Sequence, residues 1–326
     1  MITVARIGDT VLATPVLRAL KQAYPSGHLT VLAHPKRLDA LQNLPFIDEL
    51  HGMDKARAFW SARFGSFRYD VALVFGREPA LLDYALRVSR RVIANDELVF
   101  RADERLERLP LKTGEHAVIE RLRLLEPLGI QATDRRLAFA ITPEERRRAK
   151  ESLGIEVHPL IGFQMSSFRT KAHRDWPVER FSQLADAIVA RYRTSRFVVL
   201  GDDTAEAAAV SFMQRHGSRT LLRAGRTTLR ESAALIGELD LYVGVDTGPT
   251  HIAGALGVPM VALYHCLYPG RLLAPLDHPA CRVIEHPRNF ETDCEAASMD
   301  DIDVAPVLEA ALQLLRERPV VRGAGL

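Results

Sequence analysis

Short apolar runs recur along this chain, each followed by a stretch of helical periodicity, and the alternation is repeated in both halves. A strand buried on both faces reads as a continuous apolar run. Parallel neighbours also need a long crossover, usually a helix, between them. This pattern therefore restricts the chain to an α/β architecture with parallel sheets. In the first half, residues 29–33, 71–75 and 91–94 read as strands, and 11–23, 79–88 and 116–128 as helices; Pro25, Ser26 and Gly27 close the first helix. In the second half the strands are 160–164, 196–200, 239–245 and 260–264. Trp176-Pro177 opens a helix whose Phe181, Leu184, Ala185, Ile188 and Val189 form one apolar stripe, and a further helix spans 205–216.

A length of 326 residues exceeds what one core usually supports, so two domains are expected, at 1–155 and 156–326. The boundary is placed in the stretch 142–159. There Thr142-Pro143-Glu144-Glu145 is a helix start, Gly154 a stop, and Arg146, Arg147 and Arg148 a solvated face. Ligands of such sheets collect at the carboxyl ends of the strands, and the cleft between two such domains is the default site.

The 43 basic and 41 acidic residues nearly cancel, which argues against a nucleic-acid partner. Three unpaired cysteines, Cys266, Cys281 and Cys294, suit reduced thiols in the cytoplasm. No apolar run approaches the roughly 20 residues of a membrane span, and Arg6 and Asp9 interrupt any signal-peptide pattern. The protein is expected to be cytoplasmic, with substrates that sit on a membrane surface.

Three segments carry chemistry. In the first, an apolar strand runs into Asp246-Thr247-Gly248 and a helix that holds His251 on its first turn. A helix start favours phosphate oxygens, Gly248 permits close approach, and Thr247 adds a hydroxyl. Asp246 either caps this helix or faces a ligand. The second is Gly8-Asp9 before an apolar helix; Asp9 is either its cap or a general base. The third, Ser166-Ser167 through Lys171, His173 and Arg174, offers hydroxyls and cations between a strand and a helix. Such a loop either binds a diphosphate or is a solvated basic loop. No Gly-x-Gly-x-x-Gly fingerprint of a dinucleotide site is present.

In order and spacing these segments resemble glycosyltransferase family 9, the ADP-heptose:lipopolysaccharide heptosyltransferases. The likeness rests on Gly8-Asp9 with Thr14-Pro15, the stretch 116–130, Trp176-Pro177, Val199-Leu200-Gly201 with Glu206, Asp246-Thr247-Gly248 with His251, and a tail containing Cys294, Met299, Ile302 and Val307. It covers nearly the whole chain.

The resemblance implies a GT-B fold: two Rossmann-like domains with parallel sheets facing across a cleft, acceptor on the first and nucleotide-sugar on the second. It implies an inverting, metal-independent transfer of heptose from ADP-heptose to a lipopolysaccharide core or related glycan, with no cofactor. Asp9 takes the place of the catalytic base. Ser166, Ser167, Asp246, Thr247, Gly248 and His251 fall in the donor pocket, Thr227 on its adenine side, and either Lys171 or Arg174 at the diphosphate. The implied partners are the nucleotide-sugar and a lipid-linked or core oligosaccharide, with peripheral contact at the cytoplasmic face of the inner membrane.

The chain departs from that pattern at its start, where only Met1-Ile2 remain to supply the strand before Gly8. The first strand is expected to be cut short, by a misassigned start or a truncated chain. Ser298 stands where the family often has cysteine, and His265-Cys266 alone is not a metal-ligand set. The competing readings are a nucleotide-sugar epimerase of the same architecture and a non-catalytic nucleotide-sugar sensor.

Overall fold

The computed structural model describes residues 1–64, 66–76, 78–95, 103–154, 158–288 and 294–317. Contacts divide the chain into two compact units, Met1–Phe139 and Ala140–Leu326. The first unit holds a six-stranded sheet of β1 (Ile2–Thr3), β2 (Thr30–Ala33), β3 (Glu49–Gly52), β4 (Tyr69–Phe75), β5 (Ser89–Asn95) and β6 (Leu106–Leu109), ordered β3-β2-β1-β4-β5-β6. The second holds β7 (Leu160–Gln164), β8 (Arg196–Leu200), β9 (Thr220–Leu222), β10 (Leu241–Val245), β11 (Met260–Tyr264) and β12 (Cys281–Glu285), ordered β12-β11-β10-β7-β8-β9. Every pairing is parallel. Counted from its own first strand, each unit has the order 3-2-1-4-5-6, the doubly wound arrangement. Its direction reverses between β1 and β4 and between β7 and β10.

The shortened first strand does form. Ile2 and Thr3 lie between β2 and β4, opposite Leu32 and Ala33 on one side and Val74 and Phe75 on the other. The Met1 ammonium donates to the Thr30 carbonyl at 2.7 Å, and burial pulls its pKa down to about 5.

Some elements differ from the sequence expectation. The helix expected over 11–23 is two helices, Ile7–Leu12 and Thr14–Ala23. Pro15 has no N–H to continue the ladder, and the Thr14 hydroxyl donates to the Val11 carbonyl instead, at 2.7 Å. Residues 116–128 form the helix Ala117–Leu122 and a tighter turn, Arg123–Leu128, which contains Pro127 and stops at Gly129 in the left-handed region. Pro177 caps its helix, which begins at Val178. The division between units falls at Phe139/Ala140, earlier than the expected 155/156. Helix Pro143–Leu153 packs against helix Leu229–Ile236, and Arg230 donates to the Glu145 carboxylate (Nη2 to Oε2, 2.7 Å) and to the Ala140 carbonyl (2.7 Å).

The second core centres on Phe163 of β7. Its ring packs on Phe181, Phe197 and Phe212 at centroid separations of 5.4, 5.2 and 5.6 Å. All four side chains are fully buried. Phe163→Ala should lower unfolding stability by about 3–5 kcal/mol, read as a drop in denaturant midpoint with little change in m-value.

The Glu145–Arg230 contact yields a pH prediction. Arg230 hydrogen-bonds to the Glu145 carboxyl and holds its pKa down at about 2. A carboxyl depressed on folding stabilises the native state above its unfolded pKa and ceases to do so as pH falls through the folded one. Glu145→Gln should cost about 1 kcal/mol at pH 7 and flatten the loss of stability between pH 4.5 and about 2, measured by urea denaturation across that range.

Candidate active site

The loops after β7 and β10 diverge where the second sheet reverses, and most of the donor-site residues predicted from sequence lie on them. The Asp246 side chain is 5% exposed and occupies both of its oxygens: Oδ2 accepts from Arg174 Nη1 at 2.6 Å, and Oδ1 lies 3.5 Å from His251 Nε2. Asp246 is therefore not a helix cap. The cap of helix Gly248–Ala255 is Thr247, with no side-chain capping bond. Pro249 has no N–H, and the amides of Thr250 and His251 turn back to the Thr247 carbonyl at 3.1 and 3.3 Å. The amides of Thr247 and Gly248 are left without acceptors among the described residues.

Two more buried donors or acceptors at this point lack partners among the described residues, Arg174 Nε and His251 Nδ1. Burying such atoms is costly unless something completes them. Together with the two free amides and the guanidinium, they form a cradle suited to an oxyanion.

Lys171 and Arg174 converge on one residue that the sequence reading missed, Tyr268. Lys171 Nζ donates to its hydroxyl at 2.9 Å, and the Arg174 guanidinium lies 3.5 Å from its ring centroid. Lys171 and then Arg174 hold the Tyr268 phenol below its usual pKa. Tyr268 thus fixes two flexible cations side by side. It lies in a loop beyond β11 with no recognisable motif around it, so only tertiary contact reveals it.

Ser166 and Ser167 are buried at the start of the same loop. The Ser167 hydroxyl donates to the Lys171 carbonyl at 2.6 Å, and its amide to Asp175 at 2.6 Å. Burial raises the Asp175 pKa, and the bonds from Ser167 oppose that rise. Ser167 therefore shapes the loop that presents Lys171 and Arg174. Thr227 is placed differently. Its hydroxyl bonds Ser232 at 2.7 Å, and it lines a cavity of about 630 Å³ with Arg148, Arg223, Arg226 and Arg230. Its hydrogen bonds run to Ser232 and the Arg223 carbonyl, not to Asp246, His251 or Arg174, among the described residues.

His265 packs edge-on against His173 at 5.3 Å, and both its ring nitrogens are engaged: Nε2 donates to the Ala297 carbonyl and Nδ1 accepts from the Leu267 amide, at 3.1 and 3.2 Å. Among the described residues no three His, Cys, Asp or Glu side chains gather as metal ligands.

In the first unit Asp9 is the third residue of helix Ile7–Leu12, whose cap is Arg6. Its carboxylate caps nothing: Oδ1 accepts from Arg121 Nη2 at 2.8 Å, and the Asp9 side chain stays 43% exposed. Arg121 is the second residue missed in the sequence. It is buried, donates to the Ala117 carbonyl at 2.6 Å, and sits 4.0 Å above the Phe75 ring. Burial pulls the Arg121 pKa down, and Asp9 opposes that. A buried cation whose partner is removed is strongly destabilising, so Arg121 holds the Asp9 carboxylate in place.

A family model described as glycosyltransferase family 9 (heptosyltransferase) matches residues 90–296. The chain belongs to this family. It is a glycosyltransferase, and the match takes in Arg121 and the whole donor-side cluster. It is 27% identical to lipopolysaccharide heptosyltransferase 3 of Escherichia coli over 79% of this chain and 80% of that protein. It is also 27% identical to lipopolysaccharide heptosyltransferase 2 of Salmonella typhimurium over 96% and 97% of the two chains. Among solved structures, a family 9 glycosyltransferase from Veillonella parvula superposes with a TM-score of 0.82 at 24% identity, over 97% of this chain and 96% of the other. ADP-heptose LPS heptosyltransferase II of E. coli gives 0.76 at 20%, over 97% and 98%. The two parallel sheets and these superpositions make the fold GT-B.

If the cradle binds a diphosphate, Arg174→Ala should weaken ADP binding about tenfold to a hundredfold and reduce its salt dependence, measured by calorimetry. Tyr268→Phe keeps the ring under Arg174 and removes the hydroxyl that bonds Lys171 and Arg174, so its effect should be smaller than that of losing the guanidinium. Equal affinities in all three proteins would place the diphosphate elsewhere.

Proposed function

We propose that this glycosyltransferase moves a heptose from ADP-heptose to a lipopolysaccharide core or related glycan, with inversion and without a metal. The observation that carries the reading is a matched pair of carboxylates in unlike settings. Asp246 is buried and fully engaged with Arg174 and His251; Asp9 is exposed, with one oxygen held by Arg121. The first can only orient its neighbours. The second can accept a proton.

In this mechanism the diphosphate lies on Arg174, Lys171 and the free amides of Thr247 and Gly248. Charge that develops on the departing ADP then meets donors already in place. The acceptor hydroxyl attacks the anomeric carbon as the bond to the β-phosphate oxygen breaks, and that electron pair leaves with ADP. One displacement inverts the carbon. Asp9 takes the hydroxyl proton through its unpaired oxygen, and Arg121 acts as its positioning residue. The protein's own cations meet the leaving group, which is the basis for proposing a metal-independent reaction without a cofactor.

The choice of donor and acceptor is supported by the relatives, which are lipopolysaccharide and lipooligosaccharide heptosyltransferases, and by a solved structure of E. coli WaaC with ADP-2-deoxy-2-fluoro heptose. No helix among the described residues is long and apolar enough to cross a membrane. We place the enzyme in the cytoplasm, meeting its lipid-borne acceptor at the inner face of the membrane.

Asp9→Ala should retain ADP affinity and lose about 10²–10⁴-fold in kcat for ADP-heptose transfer to a core acceptor. Unchanged turnover would remove Asp9 from the mechanism. A screen of ADP-, UDP- and GDP-sugars by calorimetry tests the base, with only ADP-sugars expected to bind tightly.

A further inference from the structure

Helix Lys55–Phe64 of the first unit is turned against the usual rule of amphipathicity. It buries Ala58 fully and Ala62 partly against the cluster containing Leu81, Leu82 and Ala85 of helix Pro79–Val88. Its bulky side chains face outward. Phe59 is 49% exposed, Trp60 61% and Phe64 83%, and Phe67 just beyond the helix is 57% exposed. Alanines on the inner side allow the two helices close approach, so the fold needs none of these aromatic rings for its core. Scattered exposed apolar residues are ordinary, but four large rings within nine positions form a patch.

The charges around the patch say what covers it. Arg63 lies over the Phe59 ring at 4.0 Å and the Trp60 ring at 5.4 Å. Neither Arg63 nor Arg68 pairs with a carboxylate among the described residues. Asp70, the acid two residues beyond Arg68, is exposed and lies 3.9 Å from Arg90, and the third cation of the patch, Arg105 at 5.7 Å from the Phe67 ring, is paired with Asp103. Aromatic rings flanked by unpaired guanidiniums match the interfacial zone of a bilayer, where rings sit among the headgroups and arginines reach anionic phosphates. An apolar protein partner would leave both cations uncompensated.

We propose that this helix face docks the enzyme on an anionic lipid surface, with Phe59, Trp60, Phe64 and Phe67 inserted at headgroup depth and Arg63 and Arg68 on lipid phosphates. The inference deepens the reading of a lipid-borne acceptor and rests on it for its purpose, but the patch itself stands on exposure and charge.

The test uses the full chain with vesicles of phosphatidylcholine alone or mixed with phosphatidylglycerol. The protein has two tryptophans, and Trp176 is buried, so a change in emission on adding vesicles reports on Trp60. Cosedimentation and a blue shift are expected with the anionic mixture and only weak retention on phosphatidylcholine. The triple variant Phe59→Ser, Trp60→Ser, Phe64→Ser should fold normally by circular dichroism and bind at least about tenfold more weakly. The charge variant Arg63→Glu, Arg68→Glu keeps every ring and should lose about as much.

Absence of retention by the wild-type chain, equal binding to neutral and anionic vesicles, or binding unaltered in both variants would overturn the proposal. So would a wild-type dimer in sedimentation velocity that the triple variant dissolves, since a second copy would then cover the patch. Transfer to a lipid-free core oligosaccharide, measured in parallel, separates this proposal from the functional one. Vesicle binding without transfer would sink the heptosyltransferase reading alone, and normal transfer without vesicle binding would sink the docking surface alone.

Discussion

Both units depend on one topological constraint: a parallel sheet whose strand order reverses in the middle must send successive crossovers to opposite faces. At the reversal the loops separate, and the carboxyl ends of two central strands are left uncovered. In the first sheet those strands are β1 and β4, and in the second β7 and β10. Asp9 follows β1, Asp246 follows β10, and Arg174 follows β7. The candidate chemistry sits at these points because the winding leaves backbone ends and side chains open there.

Each reversal carries an Asp–Arg pair, yet burial assigns the pairs opposite tasks. In the second unit the carboxylate is enclosed and both its oxygens are engaged, so the pair is a fixed frame for Arg174 and His251. In the first unit the arginine is the enclosed partner, packed on Phe75 and tied to the Ala117 carbonyl, and the carboxylate faces solvent. The enclosed member positions the other. An exposed carboxylate with a spare oxygen is free to meet a substrate, whereas an arginine held against a buried carboxylate, itself largely enclosed but with donors left over, is suited to an anion. The outward aromatic face of helix Lys55–Phe64 extends the same logic to the surface, since its small residues serve the fold and its large ones serve nothing inside the unit.

The sequence made the inner strands legible and hid the outer ones. β7, β10 and β11 are buried throughout and read as continuous apolar runs. The four strands not anticipated, β3, β6, β9 and β12, are the outermost of each sheet, short and only partly buried. Half-exposed edges carry polar residues, as in Glu49-Leu-His-Gly52 and Leu106-Glu-Arg-Leu109, and those break the apolar signal. The site divides in the same way. Residues next to a strand end, such as Asp9, Ser166, Asp246 and His251, stand in local patterns that can be read along the chain. Arg121 and Tyr268 reach the sites from 112 and 97 positions away from their partners, and no local pattern marks them.

By itself, then, the chain's order of apolar runs, crossovers and strand-end motifs determined a pair of parallel α/β units and the segments that carry chemistry, because burial on both faces and helix starts leave local signatures. Tertiary structure decided which alternative each ambiguous residue takes. Asp9 and Asp246 are not helix caps, because distant arginines claim their oxygens; Lys171 and Arg174 stand side by side, because Tyr268 gathers them. It also set Thr227 on a cavity lined by arginines and turned the aromatic face of helix Lys55–Phe64 to solvent. Such choices depend on which side chains meet across the fold, and separation along the chain carries no record of that.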